Sequence, residues 1–211
     1  MKPPIFITGI GTGIGKTLAS AIIAEALEAD YWKPVQAGTE PITDSEWVRK
    51  QLTNPKSVVH PERYTLKLAA SPHFAAQKEN IAITVQNICA SLPDYSCNLV
   101  IEGAGGLMVP LNDTEFIKDL ILSLGCRVVL VSRNYIGSIN HSLLTAAECK
   151  RNNIPVLGWV FIGYEPIYEQ QIASWSKLPI IASVPLTEAP ENSFVKLMAE
   201  YLRDSLTHFL C

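Results

Sequence analysis

Apolar positions along the chain fall into two alternating kinds of run. Short, almost wholly apolar stretches occur at residues 4–8, 98–102, 127–132, 156–162 and 180–184, and their length and β-rich composition predict strands. Between them, apolar residues return every three or four positions, predicting helices over Lys16–Glu28, Ile81–Leu92, Thr114–Leu124, Ile139–Asn152 and Ser193–Phe209. A strand that is apolar at nearly every position is buried on both faces, as parallel strands covered by helices are. The expected fold is therefore α/β, a doubly wound and mostly parallel sheet with helices on both faces. Asp113 or Thr114 is placed to cap the third helix, Ser138 the fourth, and Asn192 or Ser193 the last. Residues Ala37–Asp44 and Asn54–Pro72 read as loop-rich excursions.

Composition narrows the function classes. A length of 211 residues suits one domain over residues 1–211. With 48% hydrophobic and 18% charged residues, the chain has the apolar area to offset ordering entropy. A formal net charge of -3, with no basic cluster longer than Arg49-Lys50 or Lys150-Arg151, gives no footprint for nucleic acid. No apolar run approaches the roughly 20 residues of a membrane helix, and no signal-peptide core follows Lys2. No nucleic-acid or membrane partner is expected, and the cytoplasm is the expected location. Five cysteines (Cys89, Cys97, Cys126, Cys149 and Cys211) form no Cys-x-x-Cys pair and read as reduced thiols. His73 and His141 lack companions at metal-ligand spacing, and no nucleophile elbow is present.

The strongest chemical signal is the run Ile5 to Thr17, a buried strand followed by a glycine loop that opens a helix. In a P-loop, glycines let backbone N–H groups turn inward around phosphate oxygens, the lysine adds a cation between the terminal phosphates, and the hydroxyl after it can ligate magnesium. Lys16 and Thr17 hold those positions. The spacing is a variant of the strict pattern, with Ile10 where a glycine is usual and Gly9 one residue earlier. The helix start adds a favourable field for an anion.

Other candidates sit at predicted strand ends, where open α/β sheets bind ligands. Lys33, after Tyr31-Trp32, could neutralise charge on a phosphoryl group or hold an anionic substrate, although a solvated lysine is by itself the commoner reading. Glu102 ends an apolar strand and precedes Gly103-Ala104-Gly105-Gly106, so it could accept magnesium as a Walker B acid does or be a loop acid. Asp44 could simply begin a helix from Ser45. The stretch Ser138-Ile139-Asn140 could present free N–H groups to a carboxylate, or be a capped helix start.

The P-loop, Lys33-Pro34-Val35, Ser71-Pro72-His73, Glu102 to Gly106, Ile139-Asn140-His141 and Pro190-Glu191-Asn192, in this order, resemble the dethiobiotin synthetase family over nearly the whole chain. That family sits in the wider P-loop group with partition ATPases and cobyrinate amidases. The resemblance implies a homodimer that closes the ureido ring of dethiobiotin from diaminopelargonate, carbon dioxide and ATP with Mg2+. Carried over by position, Gly13, Ile14, Gly15, Lys16, Thr17 and Leu18 would wrap the phosphates, with Gly103, Ala104 and Gly105 nearby. Thr17, Asp44 and Glu102 would hold magnesium, and Lys16 and Lys33 would be the electrostatic catalysts. Thr12 and Ala37 would face the diamine, and Ser138, Ile139 and Asn140 would receive its carboxylate from the partner subunit. Pro185, Leu186, Thr187 and Glu191 would line the nucleoside end.

Three positions depart from the family pattern. Ala37 replaces a common hydroxyl residue, and Gly13 stands where some members carry glutamate. Phe161-Ile162-Gly163 stands where an asparagine often reads adenine, which bears on base selectivity. The alternatives are a partition-type ATPase, whose signature lysine is absent at Gly11, a cobyrinate-type amide ligase, which would need a glutaminase domain, and a non-catalytic nucleotide-binding subunit, in which Lys33 or Glu102 would be lost.

Overall fold

A computed structural model describes residues 2–95 and 98–210, so Cys97 and Cys211 lie outside the described residues. Among these, seven strands form one sheet: β1 (Ile5–Gly9), β2 (Asp30–Trp32), β4 (Val59–His60), β6 (Leu99–Glu102), β7 (Arg127–Arg133), β8 (Val156–Ile162) and β9 (Ile180–Val184). Their order is β4-β2-β6-β1-β7-β8-β9, and every neighbouring pair is parallel. All seven C-terminal ends therefore lie along one edge. Strand alternation divides the side chains between two cores. Ile5, Ile7, Val100, Val129 and Val131 face α1 (Lys16–Leu27) and α8 (Asn192–Leu210), with Val48 of α2 (Asp44–Gln51). Phe6, Leu99, Ile101, Val128 and Leu130 face α3 (Pro72–Glu79), α4 (Val85–Cys89), α5 (Ile117–Ser123), α6 (Ser138–Arg151) and α7 (Pro166–Ser176). This is the expected α/β architecture with both faces covered.

The chain leaves β1 through α1 toward β2, then returns to β6 and crosses to β7 through α5 on the opposite face. Winding thus reverses around β1, and the crevice beyond such a switch point is where doubly wound sheets bind ligands. A second, two-stranded parallel sheet pairs β3 (Val35–Ala37) with β5 (Tyr64–Leu66). It follows directly on β2 and β4, and the N–H groups of Arg63 and Tyr64 both donate to the Pro34 carbonyl.

The expected strands hold to within one residue, and several helix expectations require correction. Only Val85–Cys89 of the stretch Ile81–Leu92 is helical. Its first residues are tied elsewhere: Asn112 Nδ2 donates to the Ile83 carbonyl at 2.9 Å, and the Val85 N–H donates to Glu115 at 3.0 Å. Thr84 then caps α4 by accepting from the Asn87 N–H. The third helix starts at Ile117, not Thr114, because Asn112 Oδ1 gathers the N–H groups of Thr114 and Glu115 into a turn. Neither Asp113 nor Thr114 caps it; Asp119 accepts from the Phe116 N–H instead.

Ser138 is the first residue of α6 and not its cap, which is Gly137 at φ 100°. Asp44 likewise lies inside α2, capped by Thr43 in a capping box with Glu46. The excursion 54–72 contains β4 and β5 and leads into α3. Helix α7 escaped the periodicity because Ile167 and Trp175 are exposed, whereas Glu169 and Ile172 are buried.

Candidate active site

A cleft of about 700 Å³ opens over the switch point. Its floor is the loop from β1 to α1. Gly13 (φ 72°) and Gly15 (φ 93°) take left-handed conformations there, which glycine adopts without steric cost. Gly9 is needed for space: a Cβ would stand 2.3 Å from the Val131 carbonyl oxygen. Lys16 folds back over the loop, donating from Nζ to the Gly11 carbonyl at 2.7 Å, and is 7% exposed.

Opposite the loop lies a connected set of polar side chains. Parallel register places Trp32 beside Ile101, so the next residues, Lys33 and Glu102, are level and on the same face. Lys33 Nζ donates to Glu102 Oε1 at 2.9 Å and to Asp44 Oδ2. Thr17 Oγ1 also donates to Glu102 Oε1 at 2.9 Å, and the Tyr31 hydroxyl donates to Oε2 at 2.8 Å. Glu102 is 1% exposed and Lys33 5%, so neither is the solvated surface residue that its type alone allows. Gln36 orients Asp44 by accepting from its N–H while donating to the Gly38 carbonyl at 2.7 Å.

Burial and charge set the protonation of this group. Burial lowers the Lys16 pKa to about 8, with the attraction of Glu102 partly opposing and the repulsion of Lys33 assisting. For Lys33, burial works against the charge, but Glu102 and Asp44 outweigh it and hold the pKa above the ordinary lysine value. Burial, then the charges of Glu102 and Asp44, push Tyr31 well above the usual phenol range.

Of the residues singled out in the sequence, Thr12, Gly13, Gly15, Lys16, Thr17, Lys33, Ala37, Asp44, Glu102, Ala104 and Gly105 all line this one cleft. Ile14 and Leu18 turn their side chains into the core, and Gly103 backs onto Phe6, where a Cβ would come within 2.7 Å. Ser138, Ile139 and Asn140 are not in the cleft wall; they begin α6, which follows the C-terminal end of β7. Pro185, Leu186, Thr187 and Glu191 follow the end of β9 on the same sheet edge. Ile162 packs beneath the loop, with its Cγ1 only 2.8 Å from where a Gly15 Cβ would stand.

Sequence reasoning missed Tyr31, Gln36, Ala69, Ala70 and Val109. Tyr31 carried a usable signal, since it lies two residues from Lys33 on a strand and so shares its face. Ser71 and Pro72, quoted only as part of a motif, line the cleft beside Ala69 and Ala70.

Two carboxylates and one hydroxyl converge here. Among the described residues no group of three or more His, Cys, Asp or Glu side chains gathers to hold a metal ion. Thr17, Asp44 and Glu102 are a sparse set of hard oxygen donors. Such a set fits Mg2+, which keeps several waters and shares its coordination with phosphate oxygens, and not a metal requiring a full protein cage.

A family model described as an AAA domain matches residues 4–193. The ATP-dependent dethiobiotin synthetase BioD of Cytophaga hutchinsonii is 57% identical over 159 residues, covering 75% of this chain and 76% of that protein. The enzyme of the same description from Christiangramia forsetii is 45% identical over 207 residues, covering 98% and 99%. Among solved structures, the septum site-determining protein MinD complexed with Mg-ADP from Pyrococcus horikoshii OT3 superposes with a TM-score of 0.61 over 99% of this chain and 96% of that one. At 14% identity this last likeness speaks to the fold alone. Taken with a glycine loop, a buried lysine and an end-of-strand glutamate facing one cleft, these matches establish that the chain belongs to the ATP-dependent dethiobiotin synthetase family.

Proposed function

We propose that the chain is a cyclo-ligase that condenses diaminopelargonate with carbon dioxide at the expense of ATP, giving dethiobiotin, ADP and phosphate. The observation that carries this reading is the buried Lys33, bridging Glu102 and Asp44 across the cleft from the phosphate loop. That arrangement provides cationic and backbone donors where phosphoryl charge develops, with Lys33 and Glu102 themselves buried.

One substrate amine adds to carbon dioxide and loses a proton, giving a carbamate. A carbamate oxygen attacks the γ-phosphorus, the bond to the β-phosphate oxygen breaks, and ADP leaves. The second amine then attacks the carbamoyl carbon of the mixed anhydride, expelling phosphate as the ring closes. The protein's part is alignment and charge stabilisation. Backbone N–H groups from Gly13 to Leu18 cradle the phosphates, and Lys16 swings from the Gly11 carbonyl to the terminal oxygens. Lys33 faces the transferred group, with its charge secured by two carboxylates. Thr17, Asp44 and Glu102 would hold magnesium, which would supply positive charge to the phosphate group. Thr12 and the backbone at Ala37 face the diamine.

Ser138, Ile139 and Asn140 lie outside this cleft, which fits a carboxylate arriving from a second copy and hence a homodimer. Ile136, Met108 and Leu144 are exposed apolar side chains beside the start of α6 and the loop after β6, surface that a second copy would cover. One domain over residues 1–211 carries the whole reaction, and an ATP-consuming step of this kind belongs with the cytoplasmic nucleotide pool. Pro185 to Thr187 and Glu191 line the nucleoside end, where Ile162 and Gly163 offer no side-chain amide to the base.

Incubation of the purified protein with Mg2+, ATP, bicarbonate and diaminopelargonate should give diamine-dependent phosphate release and dethiobiotin by mass spectrometry. Both should be lost in Lys16→Ala and Lys33→Ala. Triphosphate hydrolysis indifferent to the diamine would reject the assignment.

A further inference from the structure

Tyr31 lies two positions before Lys33 on the same face of β2, level with Val100 of β6. Its ring therefore starts two residues behind Glu102 and reaches forward under it, so that the hydroxyl donates to Oε2 at 2.8 Å. Both side chains are closed to solvent, Tyr31 at 0% and Glu102 at 1% exposure. The two carboxylate oxygens thus have different surroundings: Oε2 is held from the core side by Tyr31, whereas Oε1 receives Thr17 and Lys33 at the cleft.

We propose that Tyr31 is a positioning residue that fixes Glu102 as a one-oxygen ligand of the magnesium–nucleotide group. The inference rests on the role given above to Glu102. A carboxylate with a free second oxygen can turn about its Cγ–Cδ bond and engage a cation through either oxygen or both. The hydrogen bond from Tyr31 removes that freedom, because turning the carboxylate would leave a buried phenol without an acceptor. Oε1 then stays at the cleft, bonded to Thr17 Oγ1, and Lys33 keeps its place between Glu102 and Asp44. The relation is one of support: Tyr31 acts only through Glu102.

Tyr31→Phe removes the hydroxyl and retains the ring. Calorimetric titration with ATP should be run with and without Mg2+, on wild type and variant. In wild type Mg2+ should tighten ATP binding; in the variant this gain should shrink about tenfold, the scale of one hydrogen bond to a charged group, while Mg-free ATP should bind within about twofold of wild type. An unchanged gain, with or without lowered thermal stability, overturns the inference and leaves Tyr31 a packing residue. If wild type itself shows no gain from Mg2+, the reading of Glu102 falls and this inference with it.

A second measurement uses the unaltered chain and does not require the variant to fold. In a crystal structure with Mg2+ and a non-hydrolysable ATP analogue, Oε2 should remain bonded to Tyr31, with Oε1 alone turned to the metal group. Coordination through Oε2 or through both oxygens overturns the proposal.

Discussion

Replacing Lys33 with methionine keeps much of the side-chain volume and removes one charge from a place that water does not reach. Lys33 is 5% exposed and Glu102 1%, so the variant leaves Glu102 with hydrogen bonds from Thr17 and Tyr31 but without its neutralising cation. Breaking a buried pair by deleting one partner costs about 3–5 kcal/mol; Asp44, which is more exposed, contributes less of this. For a chain of this length each kcal/mol lowers the melting temperature by about 2–4 °C, so Lys33→Met should melt about 10 °C below wild type at pH 7.

The pH dependence carries a definite sign. In wild type the raised Lys33 pKa makes that residue's contribution fully present below about 10.4 and lost only as pH climbs through the folded value. Chemical denaturation of both proteins at pH 7, 9 and 11 measures the difference, and Lys33→Met/Glu102→Gln should recover more than half of the loss by removing the stranded charge. A single variant within about 1 kcal/mol of wild type at pH 7 would refute a buried, coupled pair.

Two further outcomes follow from the loop. With Lys16 titrating at about 8, nucleotide binding should draw its proton back on: uptake of about half a proton at pH 8, rising toward pH 9, and affinity that falls as pH rises through 8. Calorimetry in buffers of different ionisation enthalpy reads this directly, and zero uptake at pH 8.5 would contradict the buried state of Lys16. In Gly9→Ala the new methyl would stand 2.3 Å from a backbone oxygen and 2.4 Å from Ile14 Cδ1. A loss of about 3 kcal/mol is expected, seen as a lower denaturant midpoint at unchanged slope, together with weakened ATP binding.

Much of this protein was legible in its residue order. Buried strands such as Ile5–Gly9 and Arg127–Arg133 announce themselves because a parallel strand covered on both faces must be apolar throughout. The phosphate loop is equally local: backbone turns that need glycine, followed by a lysine and a hydroxyl at a helix start, are set within nine residues. The family resemblance added an order of motifs and, with it, Asp44 and Glu102 as a pair.

Other features depended on contacts between distant parts of the chain. Helix α4 is short because side chains from residues 112 and 115 take the backbone groups ahead of it, and no pattern in residues 81–92 encodes that. Helix α7 hid because its apolar residues do not all face inward. Lys33 reads as an ordinary lysine until register sets it level with Glu102, across strands separated by 69 residues. Tyr31 gains its role from the same alignment. Composition and periodicity fix what a residue can do locally, through burial and backbone preference. Which carboxylate meets which cation, and which of its oxygens is left facing the cleft, is decided only when the sheet brings strand ends together and shuts out the water that would otherwise screen them.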